Sequence, residues 1–320
     1  MSDVNWLLPE GVEEILPNEA AQLEHLRRTI LDDLSARGFQ LVMPPVMEFV
    51  DSLLVGSGAA LDTQTYKFMD QHTHRMLGIR ADMTPQIARL DAHYLSDNDI
   101  NRLCYAGTVL RTQPDQMGGQ RELLQIGAEV FGVTEQSADI EIVDAMLAAL
   151  ALSGAQKLTL SLSHVGIYRE LLALGDFASS LEADLFDALL RKSAPDLELL
   201  LESADVSTFQ NLLSLQGGAS VIDLAADTLP KTAAVEQSLA ELKSVVAHVQ
   251  AKHKHIHLHI DLADVFGYDY HTGLKYAAYI EGRGRTIAKG GRYDRIGEHF
   301  GHARPATGFS ADLKSLNKLR

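Results

Sequence analysis

The chain has 320 residues, 46% of them hydrophobic, and its 43 acidic and 28 basic residues leave a net charge of −15. That acidity disfavours nucleic acid as a partner, and the densest basic run, 283–295, is interleaved with glycines. The single cysteine, Cys104, excludes an internal disulfide, and neither a signal-like N-terminus nor a membrane-spanning apolar run is present, so a soluble cytoplasmic protein is expected.

Residues 5–17 read as an irregular arm with Pro9, Gly11 and Pro17. A helix follows, with Asn18 as its expected N-cap, Leu23, Leu26, Ile30, Leu31 and Leu34 as its apolar stripe and Gly38 as its stop. Phe39–Val42 reads as a short strand ended by Pro44-Pro45. Asp51–Thr65 is polar and contains glycines, and reads as a mobile crossing. Leu77–Arg80 is a second short strand before A-D-M-T-P, where Thr84 is placed to cap a helix that Pro85 begins.

Leu103–Gln113 and Glu122–Phe131 read as two strands joined by the turn sequence P-D-Q-M-G-G. On the second strand, a period of two puts Gln125, Gly127 and Glu129 on one face, successive members about 6.6–7 Å apart. An amide, a bare backbone and a carboxylate suit a small ligand with donor groups, and Arg111 on the partner strand adds a cation. A solvated strand face is the competing reading. Ser137 is placed to cap the next helix, with Asp139 and Glu141 in its first turn and Ile140, Val143, Leu147 and Leu150 facing inward.

Lys157–Ser163 alternates as a strand. Residues from about 177 to 252 form helical runs broken at Pro195, Gly217-Gly218 and Pro230, and read as a helical insertion without chemistry. Strand patterning returns at His255–Asp264, Tyr276–Ile280 and Thr286–Lys289. Gly290-Gly291 then leads to a short helix, and a last strand, Ala306–Ser310, precedes a terminal helix from Asp312. Hairpin-like spacing with few crossover helices predicts an α+β fold on a mainly antiparallel sheet.

Four segments could form site walls: R-A-D-M-T-P (80–85), the hairpin, F-G-Y-D-Y-H-T-G (266–273) and K-G-G-R-Y-D (289–294). Their glycines let a backbone approach a ligand, while Asp82, Glu129 and Gln125 offer acceptors and Tyr270, His271 and Tyr293 offer flat polar-tipped walls. Such a set suits an amino acid. Turn glycines and half-buried tyrosines are the competing reading. The run H-K-H-I-H-L-H (253–259) would put four histidines on one strand face. A straight strand converges two at most on one metal, so a strand face at an insertion boundary or subunit contact is expected instead, and no metal site. Cys104 is read as packing.

In this order, the segments resemble the class II aminoacyl-tRNA synthetases, and within them the histidyl-tRNA synthetases. The resemblance covers nearly the whole chain: the arm P-E-G-V-E-E-I-L-P, the second motif from Tyr105 to Gly132, both histidine-signature segments, and A-T-G-F-S-A-D-L near the end. It implies one synthetase-like core over 1–320, its mainly antiparallel sheet flanked by helices and interrupted by the helical insertion. It also implies that histidine is held by Asp82, Thr84, Gln125, Glu129, Tyr270 and His271, with Asp82 and His271 standing for a glutamate and a tyrosine. Arg111 survives from the second motif as a further site cation.

The departures bear on function. Adenylation needs cations aimed at phosphates, where charge develops in the transition state. In the family pattern, charged residues are expected at Gln113 and Pro114, a glycine and a basic residue at Gly118-Gly119, a catalytic arginine at Phe266 with no neighbour to replace its charge, and an adenine-stacking arginine at Ser315. The chain ends at Arg320, where the synthetases continue into an anticodon-binding domain. This combination is similar to the regulatory subunits of ATP phosphoribosyltransferase. That similarity implies a chain without catalytic residues, metal or cofactor. Its partner would be the short catalytic subunit, which condenses ATP with phosphoribosyl pyrophosphate in the first step of histidine biosynthesis. It further implies feedback inhibition by L-histidine, a dimer of the synthetase-like type and assembly into a hetero-oligomer. Two other classes are an active histidine ligase fragment, marked by histidine-dependent pyrophosphate exchange, and a paralogue that modifies another amino acid or a carrier protein.

Overall fold

The computed structural model describes residues 7–55, 59–114, 119–201, 203–267 and 270–319. The chain divides into two compact units: Met1–Thr134, Ile142–Ala155 and Asp294–Arg320 form the first, and Glu135–Glu141 with Gln156–Tyr293 the second. Among the described residues no helix is long and apolar enough to cross a membrane.

The first unit opens with α1 (Pro17–Ala36), whose Leu23, Leu26, Ile30, Leu31 and Leu34 are buried as their spacing predicts. Its N-cap is Leu16 and not Asn18. Proline at the first helical position gives up a donor that would be orphaned anyway, so Pro17 fixes the start and Asn18 falls inside the first turn. Gly38, at φ +93°, breaks the helix. β1 (Gln40–Leu41) then runs parallel to β5 (Asn101–Leu110), which forms an antiparallel hairpin with β6 (Glu122–Phe131). The far side of β6 pairs antiparallel with β12 (Ala306–Asp312), giving the order β1-β5-β6-β12. Residues 115–118 of the expected turn lie outside the described residues.

A smaller antiparallel sheet of β2 (Met47–Phe49), β4 (Met76–Ile79) and β3 (Tyr66–Met69) was legible in sequence only at β4. The stretch read as a mobile crossing instead carries α2 (Val50–Leu53) and α3 (Ala59–Gln64), apart from 56–58, which are not described. Thr65 closes it, buried, with its hydroxyl donating to the Leu61 carbonyl. Short apolar anchors such as Leu53 outweighed the local polarity there.

The second unit has the strand order β11-β10-β7-β9-β8, built from β7 (Leu158–His164), β8 (Gln216–Gly217), β9 (His257–Asp261), β10 (Leu274–Ile280) and β11 (Arg283–Arg292). All its pairs are antiparallel except β7 with β9. After α6 (Val165–Gly175), the insertion consists of α7 (Ser179–Leu190), α8 (Ala194–Leu200), α9 (Ser203–Ser214), α10 (Val221–Thr228) and α11 (Ala233–Lys252). The sequence reading missed α6 and the short β8. Gly290-Gly291 stay within β11 rather than leading into a helix, and the turn of 3-10 helix at Ile296–Phe300 comes after Asp294. Arg292, from the K-G-G-R-Y-D segment, donates through Nε and Nη2 to Asp139 Oδ2 at 3.0 and 2.9 Å. Both side chains are buried, so this arginine anchors the first turn of α5 (Ser137–Leu152) and is not a site wall.

Candidate ligand-binding site

In the first unit, β6 carries Gln125 and Glu129 on one face, as its period of two requires, and both are buried. Tyr105 of β5 stands opposite Gly127, between them in sequence. Its hydroxyl donates to Glu129 Oε1 at 3.0 Å, and Thr84 Oγ1 donates to the same oxygen at 3.2 Å. A Cβ at Gly127 would come within 2.5 Å of that hydroxyl, so the glycine makes room for the phenol. Burial first, then the Glu129 and Asp82 carboxylates, push the Tyr105 phenol well above its usual range. It is therefore a neutral donor at any working pH.

Thr84 was expected to cap α4 (Thr84–Tyr94), but the N-cap is Met83, and the first-turn N–H of Thr84 is satisfied by the Asp82 side chain. Its Oδ1 accepts from the Thr84 backbone N–H at 2.8 Å, which leaves the threonine hydroxyl for Glu129. The same oxygen accepts from Gln125 Nε2 at 3.2 Å, and Gln125 Oε1 accepts from the Met83 N–H at 2.9 Å. Asp82, Thr84, Tyr105, Gln125 and Glu129 thus form one hydrogen-bonded wall. Arg111 lies at its margin, buried, with Nε donating to the Ala81 carbonyl at 3.1 Å. Tyr105 is the member that sequence reasoning missed. Its signal was the glycine opposite a buried aromatic residue.

Ser315, where the family pattern expects an adenine-stacking cation, has other work. Ser315 sits in the first turn of α12 (Leu313–Asn317), and Asp312 Oδ2 accepts from its N–H and its hydroxyl at 3.0 and 2.6 Å. Asp312 Oδ1 accepts from the N–H groups of Leu124 and Lys314. Lys314 is buried against Glu122, with Nζ 2.9 Å from its carboxylate. Arg121 donates to the Tyr66 hydroxyl and to the Glu10 carbonyl. Gln113 is exposed and uncharged, and Gly118 lies outside the described residues.

The second unit holds Tyr270 and His271. The two rings meet edge to face at 5.2 Å, and Tyr270 stacks on Tyr293 at 5.0 Å. Gly267, at φ +76°, turns its carbonyl toward the His271 backbone N–H and ring Nδ1, at 2.9 and 3.1 Å. A carbonyl only accepts, so Nδ1 carries the proton. Burial first, then the Lys275 ammonium, bring His271 down to about 4, and the ring is neutral at physiological pH. Gly291 packs against the ring, since a Cβ there would lie 2.6 Å from Cδ2. Phe266 was expected to leave a charge unreplaced. In the structure Lys275 Nζ lies 5.7 Å from its ring centroid, but the ammonium is held by Asp264 Oδ1 at 2.5 Å. Tyr268 and Asp269 lie outside the described residues. The expected face of four histidines is not formed. β9 begins only at His257, and His253 and His255 precede it.

A family model described as histidyl-tRNA synthetase matches residues 11–316. An ATP phosphoribosyltransferase regulatory subunit from Thiobacillus denitrificans is 47% identical over 314 residues, covering 97% of this chain and 97% of the relative. One from Ralstonia nicotianae is 46% identical over 315 residues, covering 98% of this chain and 81% of its own length. A crystal structure from Bacillus halodurans C, described as an ATP phosphoribosyltransferase regulatory subunit/histidyl-tRNA synthetase, superposes with a TM-score of 0.88 at 29% identity. That superposition covers 100% of this chain and 84% of the other.

Proposed function

The chain belongs to the ATP phosphoribosyltransferase regulatory subunits, a family of histidyl-tRNA synthetase-like proteins, and from that premise we propose that it senses L-histidine through the Glu129 wall. It is the regulatory subunit of an enzyme whose catalysis belongs to the partner. In this reading the partner is the short catalytic subunit, which joins ATP to phosphoribosyl pyrophosphate. The regulatory chain activates it, and bound histidine favours a less active arrangement of the complex. The assembly is a cytoplasmic hetero-oligomer built on a dimer of this synthetase-like chain, with its helical insertion at about 177–252, and it takes no nucleic acid.

One observation carries the reading. Asp82, Thr84, Tyr105, Gln125 and Glu129 form one hydrogen-bonded wall, which supports an amino-acid site, while Ser315, where the family pattern expects an adenine-stacking cation, donates to the Asp312 cap of α12. Glu129 supplies an anion for the ligand's ammonium group, the Thr84 and Tyr105 hydroxyls fix that anion in place, Asp82 and Gln125 continue the wall, and Arg111 is assigned to the ligand's carboxylate. The family pattern assigns Tyr270 and His271 to the same ligand, and that assignment is part of the proposal. Allosteric coupling of this kind is worth about 1–3 kcal/mol and is reciprocal for binding.

The test is to combine this protein with the short catalytic subunit and follow phosphoribosyl-ATP formation with and without histidine. Activation on mixing, suppressed by histidine, is the expected result. Absence of activation, or histidine-dependent pyrophosphate exchange by this chain alone, would overturn the reading.

A further inference from the structure

The histidine run absorbed by no part of the proposed function is arranged differently from its sequence pattern. α11 ends at Lys252, and His253 is its C-cap, at φ −119° and ψ 55°, with its N–H donating to the Val249 carbonyl at 2.8 Å. Leaving the helix there, the chain closes a tight turn in which the Ile256 N–H donates to the His253 carbonyl at 2.9 Å. Ile256 is buried and pins the turn.

The geometry brings together residues that a straight strand would hold apart. His248, in the last turns of α11, and His253 have ring nitrogens within 4.8 Å of each other and ring centroids 6.4 Å apart. His255, at the centre of the turn, places its ring 6.4 Å from that of His253 on an exposed edge. His253 also borders an open cavity of about 330 Å³, together with Gln250 and Lys254, which gives an ion an entry path.

We propose that His248, His253 and His255 form a binding site for one divalent transition-metal ion of the zinc, nickel and copper class. Two imidazole nitrogens on a tetrahedral zinc, each at about 2.0–2.1 Å, lie roughly 3.4 Å apart. The His248 and His253 ring nitrogens already lie within 4.8 Å of each other, and side-chain rotations at the end of a helix and on a turn would bring them to that spacing. An all-imidazole set selects these metals over calcium and magnesium, which prefer oxygen ligands. Water completes the coordination. Such an ion would clamp the end of α11 to the turn that leads into β9.

The experiment uses the purified full chain with its affinity tag removed. Zn²⁺ is titrated against a chromophoric chelator, and Cu²⁺ bound at one equivalent is examined by electron paramagnetic resonance for coordinated imidazole nitrogen. One saturable equivalent per chain is expected, with His253→Ala weakening it by about tenfold or more and His255→Ala, on the exposed turn, doing likewise. His72→Ala, at an exposed site in the first unit, leaves affinity unchanged. Circular dichroism of each metal-free variant separates lost binding from lost folding. No saturable equivalent, unaltered binding in His253→Ala and His255→Ala, or an equal effect of His72→Ala would overturn the proposal.

Discussion

Gly308 of β12 faces Glu129 of β6 across the ladder, and a Cβ at Gly308 would stand 1.3 Å from the Glu129 Oε2 atom. The carboxylate therefore occupies the space that any other residue would fill. The side chain at the centre of the proposed histidine site is positioned by a missing one on the neighbouring strand.

Gly308→Ala should expel the carboxylate from its place. Overpacking of this kind costs about 1–3 kcal/mol, measurable by denaturant unfolding, and histidine inhibition of the reconstituted complex should weaken in parallel. Full stability with full histidine sensitivity would show that the strand pair shifts to absorb the methyl group.

Glu129→Gln keeps the volume and removes the charge. The variant should still assemble with and activate the catalytic subunit, while the histidine concentration needed for inhibition rises about tenfold or more. Inhibition at the wild-type concentration would take Glu129 out of the site.

Tyr105→Phe deletes one donor to Glu129 and leaves the ring packing intact. A stability loss of about 0.5–1.5 kcal/mol is expected, with weaker histidine binding by isothermal titration and no change in activation. A variant that binds histidine as tightly as wild type would make Tyr105 a packing residue only.

Arg292→Met separates architecture from ligand binding. It removes the guanidinium paired with the buried Asp139 carboxylate, and about 3–5 kcal/mol of stability should be lost. In the fraction that remains folded, the response to histidine should be unchanged. A selective loss of histidine response at wild-type stability would give this arginine a role in the site.

His271 predicts a pH dependence with a definite sign. Its folded value of about 4 lies below the ordinary 6.5, so the unfolded chain takes up a proton that the folded chain refuses as the pH falls between them. The stabilisation is complete above about pH 6.5 and is lost toward pH 4. It amounts to about 1–3 kcal/mol, discounted because the residue as a whole is half-buried. Melting curves of wild type and His271→Gln from pH 4 to 7.5 should converge in the difference between them as the pH falls. A pH-independent difference would contradict the buried neutral imidazole.

Much of this was legible because periodicity belongs to the residues themselves. The stripe from Leu23 to Leu34 and both strands of the hairpin followed from it directly, as did the shared face of Gln125 and Glu129. Helix starts were less legible because two residues competed for each. Pro17 displaced Asn18, and the Asp82 side chain took the first-turn N–H, which left the Thr84 hydroxyl for the site. Hydroxyl function in Tyr105 could not be read, since an aromatic residue among apolar neighbours signals packing unless the glycine across the ladder is known. The histidines were misplaced because one turn at His253–Ile256 removed two of them from the strand.

Asp312 has a mechanical consequence. One carboxylate holds the Leu124 N–H of β6 and the first turn of α12, and Lys318, the C-cap of that helix, grips Glu13 of the N-terminal arm at 2.9 and 3.0 Å. Strand, helix and arm are therefore linked like a short crank. A tilt of β6 beside Gln125 would pull on the first turn of α12 and, through the Lys318–Glu13 ion pair, on the arm.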